Sequence, residues 1–132
     1  MGYLIDTDVC SAYLKNDRRA FQRFIQHGGR LHLSAVTVGE LMTWASRASA
    51  PPARLRDFVD LMGTVTVLDY TDAVARRFGE LRAWLFDNGR PVPDVDLMIA
   101  STALHHSLTL VTHNVRHYAN IPALTVEDWL AP

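Results

Sequence analysis

The chain has 132 residues, of which 48% are hydrophobic, which suffices for one domain with a buried core but not for two. Its net charge of -1 gives no overall basic signal for nucleic acid, and no apolar stretch approaches the roughly 20 residues needed to cross a bilayer. The N-terminus lacks the pattern of a signal peptide, and the single cysteine, Cys10, is predicted to be a small buried hydrophobe. We therefore expect a soluble cytoplasmic domain over residues 1–132, without membrane attachment.

Strands and helices alternate along the chain. Apolar and β-branched runs predict strands over residues 2–6, 31–34, 65–68, 108–112 and 124–126. Helical periodicity, caps and breakers predict helices over residues 7–15, 18–26, 36–49, 53–62, 71–87 and 94–105. This alternation favours an α/β fold in which helices flank a central parallel sheet of four to five short strands.

Acidic side chains are predicted to meet at one edge of this sheet. Asp6 follows the first strand, Glu40 lies one turn into a helix, and Asp96 stands at the start of another. In an open α/β sheet, ligands bind at the carboxyl ends of the strands. Each acid also has a structural interpretation, because an acid at a helix start can cap the helix or interact favourably with its dipole.

The predicted convergence of these acids favours a bound cation. Carboxylates about 4 Å apart repel each other by on the order of 4 kcal/mol per pair at an effective dielectric of about 20. Either some of them are protonated or a cation neutralises them. Three or four oxygen ligands with open water positions suit Mg²⁺ or Mn²⁺ rather than zinc. Asn114, beyond the strand that ends at Thr112, can accept from water or donate to phosphate, with a turn residue as the alternative.

The order of these segments resembles the PIN-domain nucleases, and most closely the VapC toxins of bacterial toxin–antitoxin pairs. The matching segments are residues 4–8 (LIDTD), 34–41 (SAVTVGEL), 94–100 (DVDLMIA) and 110–114 (LVTHN), followed by residues 125–129 (TVEDW). The resemblance spans nearly the whole chain and implies a PIN-like domain. It implies a metal-dependent endoribonuclease in which a metal-activated water cuts RNA to leave a 5′-phosphate and a 3′-hydroxyl.

The resemblance also implies roles for individual residues. The catalytic residues would be Asp6, Glu40, Asp96 and Asn114. Asp96 takes the third acidic position rather than Asp94 because the family's acid stands three residues before the Ile-Ala pair. Asn114 departs from the family's all-Asp pattern, and Asp94 is the candidate to compensate as a further metal ligand beside Asp6, Glu40 and Asp96. The residues predicted to support these ligands are Thr7, Asp8 and Thr112.

Partners follow from the same resemblance, which implies an RNA substrate, a homodimer and a small VapB-type antitoxin. Residues 18–32 contain arginines and no acid, which is also compatible with a solvated helix face. The arginines predicted to hold the RNA backbone are Arg18, Arg19, Arg23 and Arg116. The antitoxin tail would lie in a groove between the helices near residues 38–48 and 53–62 and place an arginine among the acids. The apolar residues predicted for this groove, with core packing as their alternative, are Met42, Trp44, Leu55, Phe58 and Met62.

Two other function classes stay open from the sequence. Asp6-Thr7-Asp8 after a strand mimics the nucleophile motif of haloacid-dehalogenase-like phosphatases, which use Mg²⁺. That family also has an early glycine and a late lysine or arginine, whereas residues 9–14 contain no glycine and Lys15 is the only lysine. A PIN-like module that binds RNA or protein without cutting is the other alternative, supported by Asn114 alone. His113 and His117 have a zinc-compatible spacing if helical, but no histidine is assigned to catalysis.

Overall fold

Strand β1 (Tyr3–Ile5) lies at the centre of a five-stranded sheet in this computed structural model, which describes residues 2–132. The other strands are β2 (Leu31–Ser34), β3 (Thr66–Leu68), β4 (Thr109–Val111) and β5 (Val126–Glu127). The order across the sheet is β3-β2-β1-β4-β5, and all neighbouring strands are parallel. The predicted α/β architecture is therefore confirmed, including its fifth strand.

Seven helices occur within the described residues. They are α1 (Thr7–Leu14), α2 (Arg18–Gln26), α3 (Ala35–Ser46), α4 (Pro52–Met62), α5 (Asp72–Asp87), α6 (Asp94–His105) and α7 (Val115–Tyr118). Over residues 2–132, no helix has both the length and the apolar character needed to span a membrane.

The sequence predicted six of these helices and missed α7. A helix of one turn is too short to carry a periodic apolar pattern, so residues 115–118 gave no helical signal. Several boundaries also differ. α3 ends at Ser46 rather than near residue 49, because the backbone leaves the helical region at Arg47 (φ -58°, ψ 144°). β4 is shorter than predicted, and β5 begins at Val126 rather than at residue 124.

Both faces of the sheet are buried at its central strands, whereas the edge strand β3 is largely exposed. Leu4 and Leu110 belong to one core cluster, and their neighbours Ile5 and Val111 belong to a second cluster on the other side. Near-continuous apolar strands are typical of a parallel sheet that is covered on both faces. Cys10 is fully buried in the second cluster, which confirms its prediction as a small hydrophobe.

The direction in which successive strands are added to the sheet reverses at β1. β2 and β3 lie on one side of β1, while β4 and β5 lie on the other. Ile5 pairs with Val111 in register, so the next residues, Asp6 and Thr112, emerge side by side at the carboxyl ends of β1 and β4. Such a switch point forms a crevice in which α/β proteins bind ligands.

Candidate functional site

Asp6 occupies this switch point and is 5% exposed. It is the N-cap of α1, and its Oδ1 accepts a hydrogen bond from the Thr7 backbone N–H at 2.8 Å. Its Oδ2 accepts hydrogen bonds from the Thr112 hydroxyl at 2.8 Å and the Tyr118 hydroxyl at 2.9 Å. Asp6 therefore has both of its predicted roles, because its Oδ1 caps helix α1 while its Oδ2 faces the crevice.

The charge on Asp6 is disfavoured. Burial is the main cause, and the nearby charge of Asp8 adds to it. Together they raise the pKa of the Asp6 carboxyl from 3.8 to about 6, although the donors Thr112 and Tyr118 act in the opposite direction. A bound cation would favour the ionised form of such a carboxyl.

Asp8 links α1 to the loop after β4. Its Oδ2 accepts from the backbone N–H groups of His113 at 3.0 Å and Asn114 at 3.2 Å. Burial raises the pKa of Asp8, while the backbone donors His113, Val9 and Asn114 oppose this rise. These contacts fit the predicted supporting role of Asp8, because they hold the loop that leads to α7.

Asp96 lies in the first turn of α6, and like Asp6 it approaches the Tyr118 hydroxyl. Its Oδ1 is 3.4 Å from the Tyr118 hydroxyl oxygen, and its Oδ2 is 2.8 Å from Nδ1 of His117. Burial among carboxylates raises the pKa of Tyr118, so its hydroxyl stays a donor. Two carboxylates that are 90 positions apart in the sequence therefore meet at one phenol.

Glu40 lies on the α3 side of the site. Its exposed side chain accepts a hydrogen bond from the Thr7 hydroxyl, which also lies 3.1 Å from the Thr37 hydroxyl. Thr7 follows Asp6 directly, so Glu40 is joined to the carboxylate cluster through the first residue of α1. Thr7 and Thr112 thus contact the acids that they were predicted to support.

Asp94 and Asn114 are placed differently from the acids above. The Asp94 carboxylate forms an ion pair with Arg82 of α5 at 3.0 Å, and its side chain is 57% exposed. The predicted use of Asp94 as a compensating metal ligand therefore has no support in its contacts. Asn114 lies beside the cluster, where its backbone N–H also contacts the Thr112 hydroxyl at 3.1 Å.

The donor set is suitable in kind for a hard divalent cation, because Asp6, Glu40 and Asp96 supply only carboxylate oxygens. Over residues 2–132, however, no three His, Cys, Asp or Glu side chains are grouped closely enough to enclose one ion. Mg²⁺ tolerates this arrangement, because it commonly binds through one or two carboxylates and keeps several waters. The residues therefore fit a partly hydrated Mg²⁺ or Mn²⁺ better than a fully enclosed ion.

Sequence reasoning missed Tyr118, and it assigned no role to the histidines. Tyr118 is 1% exposed and had no signal beyond being an aromatic residue near Asn114. His113 and His117 do not share a ligand, because Nδ1 of His113 lies 3.2 Å from Asp128 whereas His117 contacts Asp96. Their spacing thus reflects two separate carboxylate contacts.

The predicted RNA-binding arginines differ in their contacts. Arg116 is one of the residues 113–117 that line a hollow of about 480 Å³ beside the site. Arg18 lines another hollow on α2 with Phe21. Arg19 pairs with Asp17 at 2.8 Å and donates to the Leu130 carbonyl at 2.6 Å, and Arg23 lies over the Trp129 ring at 6.0 Å. Arg19 and Arg23 therefore contact the C-terminal segment.

The predicted antitoxin groove is only partly a surface feature. Phe58 is 9% exposed and belongs to the core, so its alternative interpretation as a core residue is correct. Trp44 and Met62 pack partly against the same cluster, and Arg54 lies 5.0 Å over the Trp44 ring. Met42 and Leu55 remain exposed, at 41% and 46%.

Comparison with known proteins agrees with the fold. The PIN domain family matches residues 3–123. The chain is 34% identical to the tRNA(fMet)-specific endonuclease VapC of Shigella flexneri over 130 residues, which cover 98% of each chain. It is 31% identical to Ribonuclease VapC2 of Haemophilus influenzae, with 98% of this chain and 99% of the relative covered.

A solved structure supports the same assignment. In the DNA-bound VapBC of Salmonella typhimurium, one chain superposes on this one with a TM-score of 0.91 at 33% identity, and 98% of each chain is covered. The family model, the full-length sequence matches and the shared fold agree, and the chain therefore belongs to the PIN-domain family, among its VapC proteins.

Proposed function

We propose that this protein is the ribonuclease toxin of a VapBC-type pair and that it hydrolyses RNA phosphodiesters with Mg²⁺. One observation carries the proposal: Asp6 and Asp96, from distant parts of the chain, meet at one hydroxyl at the switch point of the sheet. Relatives that are named as ribonucleases and match the full length support it. Membership of the PIN family also disfavours the phosphatase alternative, which rested on Asp6 and Asp8 alone.

Each acid has a distinct role in this proposal. Asp6, Asp96 and Glu40 would hold the ion, which when bound lowers the pKa of a water and offsets charge on the phosphoryl oxygens. Thr112 donates to Asp6 and keeps its Oδ2 turned to the crevice. Asp8 holds the loop that carries Asn114, and the Asn114 side chain would contact the RNA.

RNA would approach through the hollow lined by residues 113–117. This hollow opens beside the carboxylates, because His117 contacts Asp96 and the His113 backbone contacts Asp8. Arg116 is the cation that lines it, and it would bind a phosphate of the RNA backbone. tRNA(fMet) is the first RNA to test, because the Shigella flexneri relative is named for it.

The antitoxin would cover an apolar surface on α2 and α4 rather than the predicted groove between α3 and α4, because Phe58, Trp44 and Met62 pack in or against the core. The exposed apolar side chains there are Phe21, Ile25, Leu55 and Val59, at 50%, 66%, 46% and 59% exposure. Hollows between α1, α2 and α4 lie next to them, lined by residues such as Tyr13 and Thr64. A surface of this kind suits the apolar face of a partner helix.

We also propose a homodimer, to be tested by light scattering, for which exposed Trp84 and Phe86 of α5 are candidate contacts.

The test is cleavage of defined RNAs by the purified protein with and without Mg²⁺. The wild-type chain should cut RNA only with Mg²⁺ or Mn²⁺, and mapping of the ends should give 5′-phosphates. Asp96→Asn should fold normally and lose this activity. Asp94→Asn is the matched control, because Asp94 lies two residues away in the same helix turn but pairs with Arg82.

The outcomes separate the function classes. Equal cleavage by wild type and Asp96→Asn would remove Asp96 from the site. RNA binding and Mn²⁺ binding without any cleavage would favour the non-cutting PIN-like module. Loss of cleavage in Asp94→Asn would restore the interpretation of Asp94 as a metal ligand.

A further inference from the structure

Tyr118 connects the hydrophobic core to the carboxylate cluster. Its side chain is 1% exposed and packs in the same core cluster as Leu97 and Ala100 of α6. Only its hydroxyl reaches the site, where it lies 2.9 Å from Oδ2 of Asp6 and 3.4 Å from Oδ1 of Asp96. A buried phenol fixed in this way has a well-defined position, because its ring cannot move without disturbing the core.

One hydroxyl therefore lies between two carboxylates. A phenol has a single hydrogen to donate, and the shorter distance assigns it to Asp6. Asp96 remains within reach of the same group. A neutral donor at this point reduces the repulsion that would otherwise turn the two carboxylates away from each other.

The preceding residue of α7 holds the other oxygen of Asp96. Nδ1 of His117 lies 2.8 Å from Oδ2 of Asp96, whose side chain is 21% exposed. Both oxygens of Asp96 thus contact consecutive residues of α7. An aspartate near a helix start has several accessible rotamers, and two contacts from a fixed direction select one of them.

We propose that Tyr118 and His117 are positioning residues that set the rotamer of Asp96 and its spacing from Asp6 so that both can bind one divalent ion. This inference rests on the proposed function, in which Asp6 and Asp96 are metal ligands. Groups that hold metal ligands in this way typically change metal affinity by roughly 10- to 100-fold when they are removed.

The test is Mn²⁺ binding by the full chain, measured by isothermal titration calorimetry, with the melting temperature measured in EDTA. Tyr118→Phe removes only the hydroxyl, and His117→Ala removes the contact with Oδ2. In EDTA both should fold, and Tyr118→Phe should melt below the wild type because the buried Asp6 carboxylate loses one donor. Both should bind Mn²⁺ roughly 10- to 100-fold more weakly. His117→Asn should restore much of the affinity, because the asparagine Nδ2 lies where the histidine Nδ1 lies. Matched controls are Tyr3→Phe, at the amino end of β1, and His105→Ala, at the end of α6, both outside the site.

A second readout is the Mg²⁺ concentration that gives half-maximal RNA cleavage, which should rise by the same factor as the Mn²⁺ dissociation constant. Unchanged Mn²⁺ affinity in both Tyr118→Phe and His117→Ala would overturn the positioning role while leaving the nuclease proposal intact. Absence of Mn²⁺ binding and cleavage in the wild-type protein would overturn both. If Tyr118→Phe fails to fold, His117→Ala and its asparagine counterpart decide the question, because the His117 side chain is 50% exposed.

Discussion

Replacing Asp6 by asparagine should stabilise the metal-free protein at neutral pH. Burial, with a smaller contribution from the charge of Asp8, raises the pKa of the Asp6 carboxyl from 3.8 to about 6. One pKa unit corresponds to about 1.4 kcal/mol, so the ionised carboxyl costs about 3 kcal/mol near pH 7. Asp6 is 5% exposed, so solvent screening reduces this cost little.

The site can accept the amide without losing its hydrogen bonds. The Oδ1 that caps α1 by accepting from Thr7 is retained in asparagine. The new amide nitrogen faces the hydroxyls of Thr112 and Tyr118, which then have to accept rather than donate. Each hydroxyl can redirect its hydrogen, because Thr112 lies 3.5 Å from Asp8 and Tyr118 lies 3.4 Å from Asp96.

The assay is urea unfolding in EDTA of the wild type and Asp6→Asn across pH. Because the folded pKa lies above the unfolded one, the contribution of Asp6 to stability is fully present below about pH 4 and is lost as the pH rises through about 6. The advantage of the variant should therefore be small near pH 4 and reach up to about 3 kcal/mol near pH 7.5. Asp94→Asn is the control and should change stability by less than about 1 kcal/mol, because it loses only a surface ion pair.

Two results would refute this reasoning. One is an Asp6→Asn variant that is no more stable than the wild type near pH 7.5. The other is a stability difference that does not change with pH, since the predicted difference arises from the titration of this one carboxyl. Either result would mean that the folded protein does not penalise the charge on Asp6.

Three further predictions concern arginines and a buried histidine. Arg116→Ala should raise the KM for RNA and lower the slope of log KM against log salt by about one; an unchanged slope would exclude a phosphate contact. Arg19→Ala should speed hydrogen exchange near Leu130, whose carbonyl accepts from Arg19, without changing RNA affinity; weaker RNA binding would contradict this. Burial, with Arg30 and Arg23 nearby, lowers the pKa of His27 below 6.5, and its Nε2 has no hydrogen-bond partner among residues 2–132. The contribution of neutral His27 to stability is thus present above about pH 6.5 and lost as the pH falls. In urea unfolding, the free energy of unfolding of His27→Phe should therefore rise relative to that of the wild type as the pH is lowered from about 7.5 to 5. A difference that stays constant with pH would contradict this prediction.

Local patterns in the sequence determined the fold class and the acids at the switch point. The apolar patterns of strands and helices involve residues only a few positions apart. The strand at residues 2–6 and the helix at residues 94–105 could therefore be assigned from the sequence. The carboxyl ends of parallel strands share one edge, which predicted that Asp6 would meet Asp96. Their contacts with one phenol agree with that expectation.

Only the tertiary structure decided which side chains complete the site. The contact between Tyr118 and Asp6 joins positions 112 residues apart, and that between Arg19 and Leu130 joins positions 111 apart. The pairing of Asp94 with Arg82 depends on how α5 packs against α6. Such contacts depend on the relative placement of whole elements, which propensity and periodicity do not encode, whereas strand ends and caps are local and can be read from the chain.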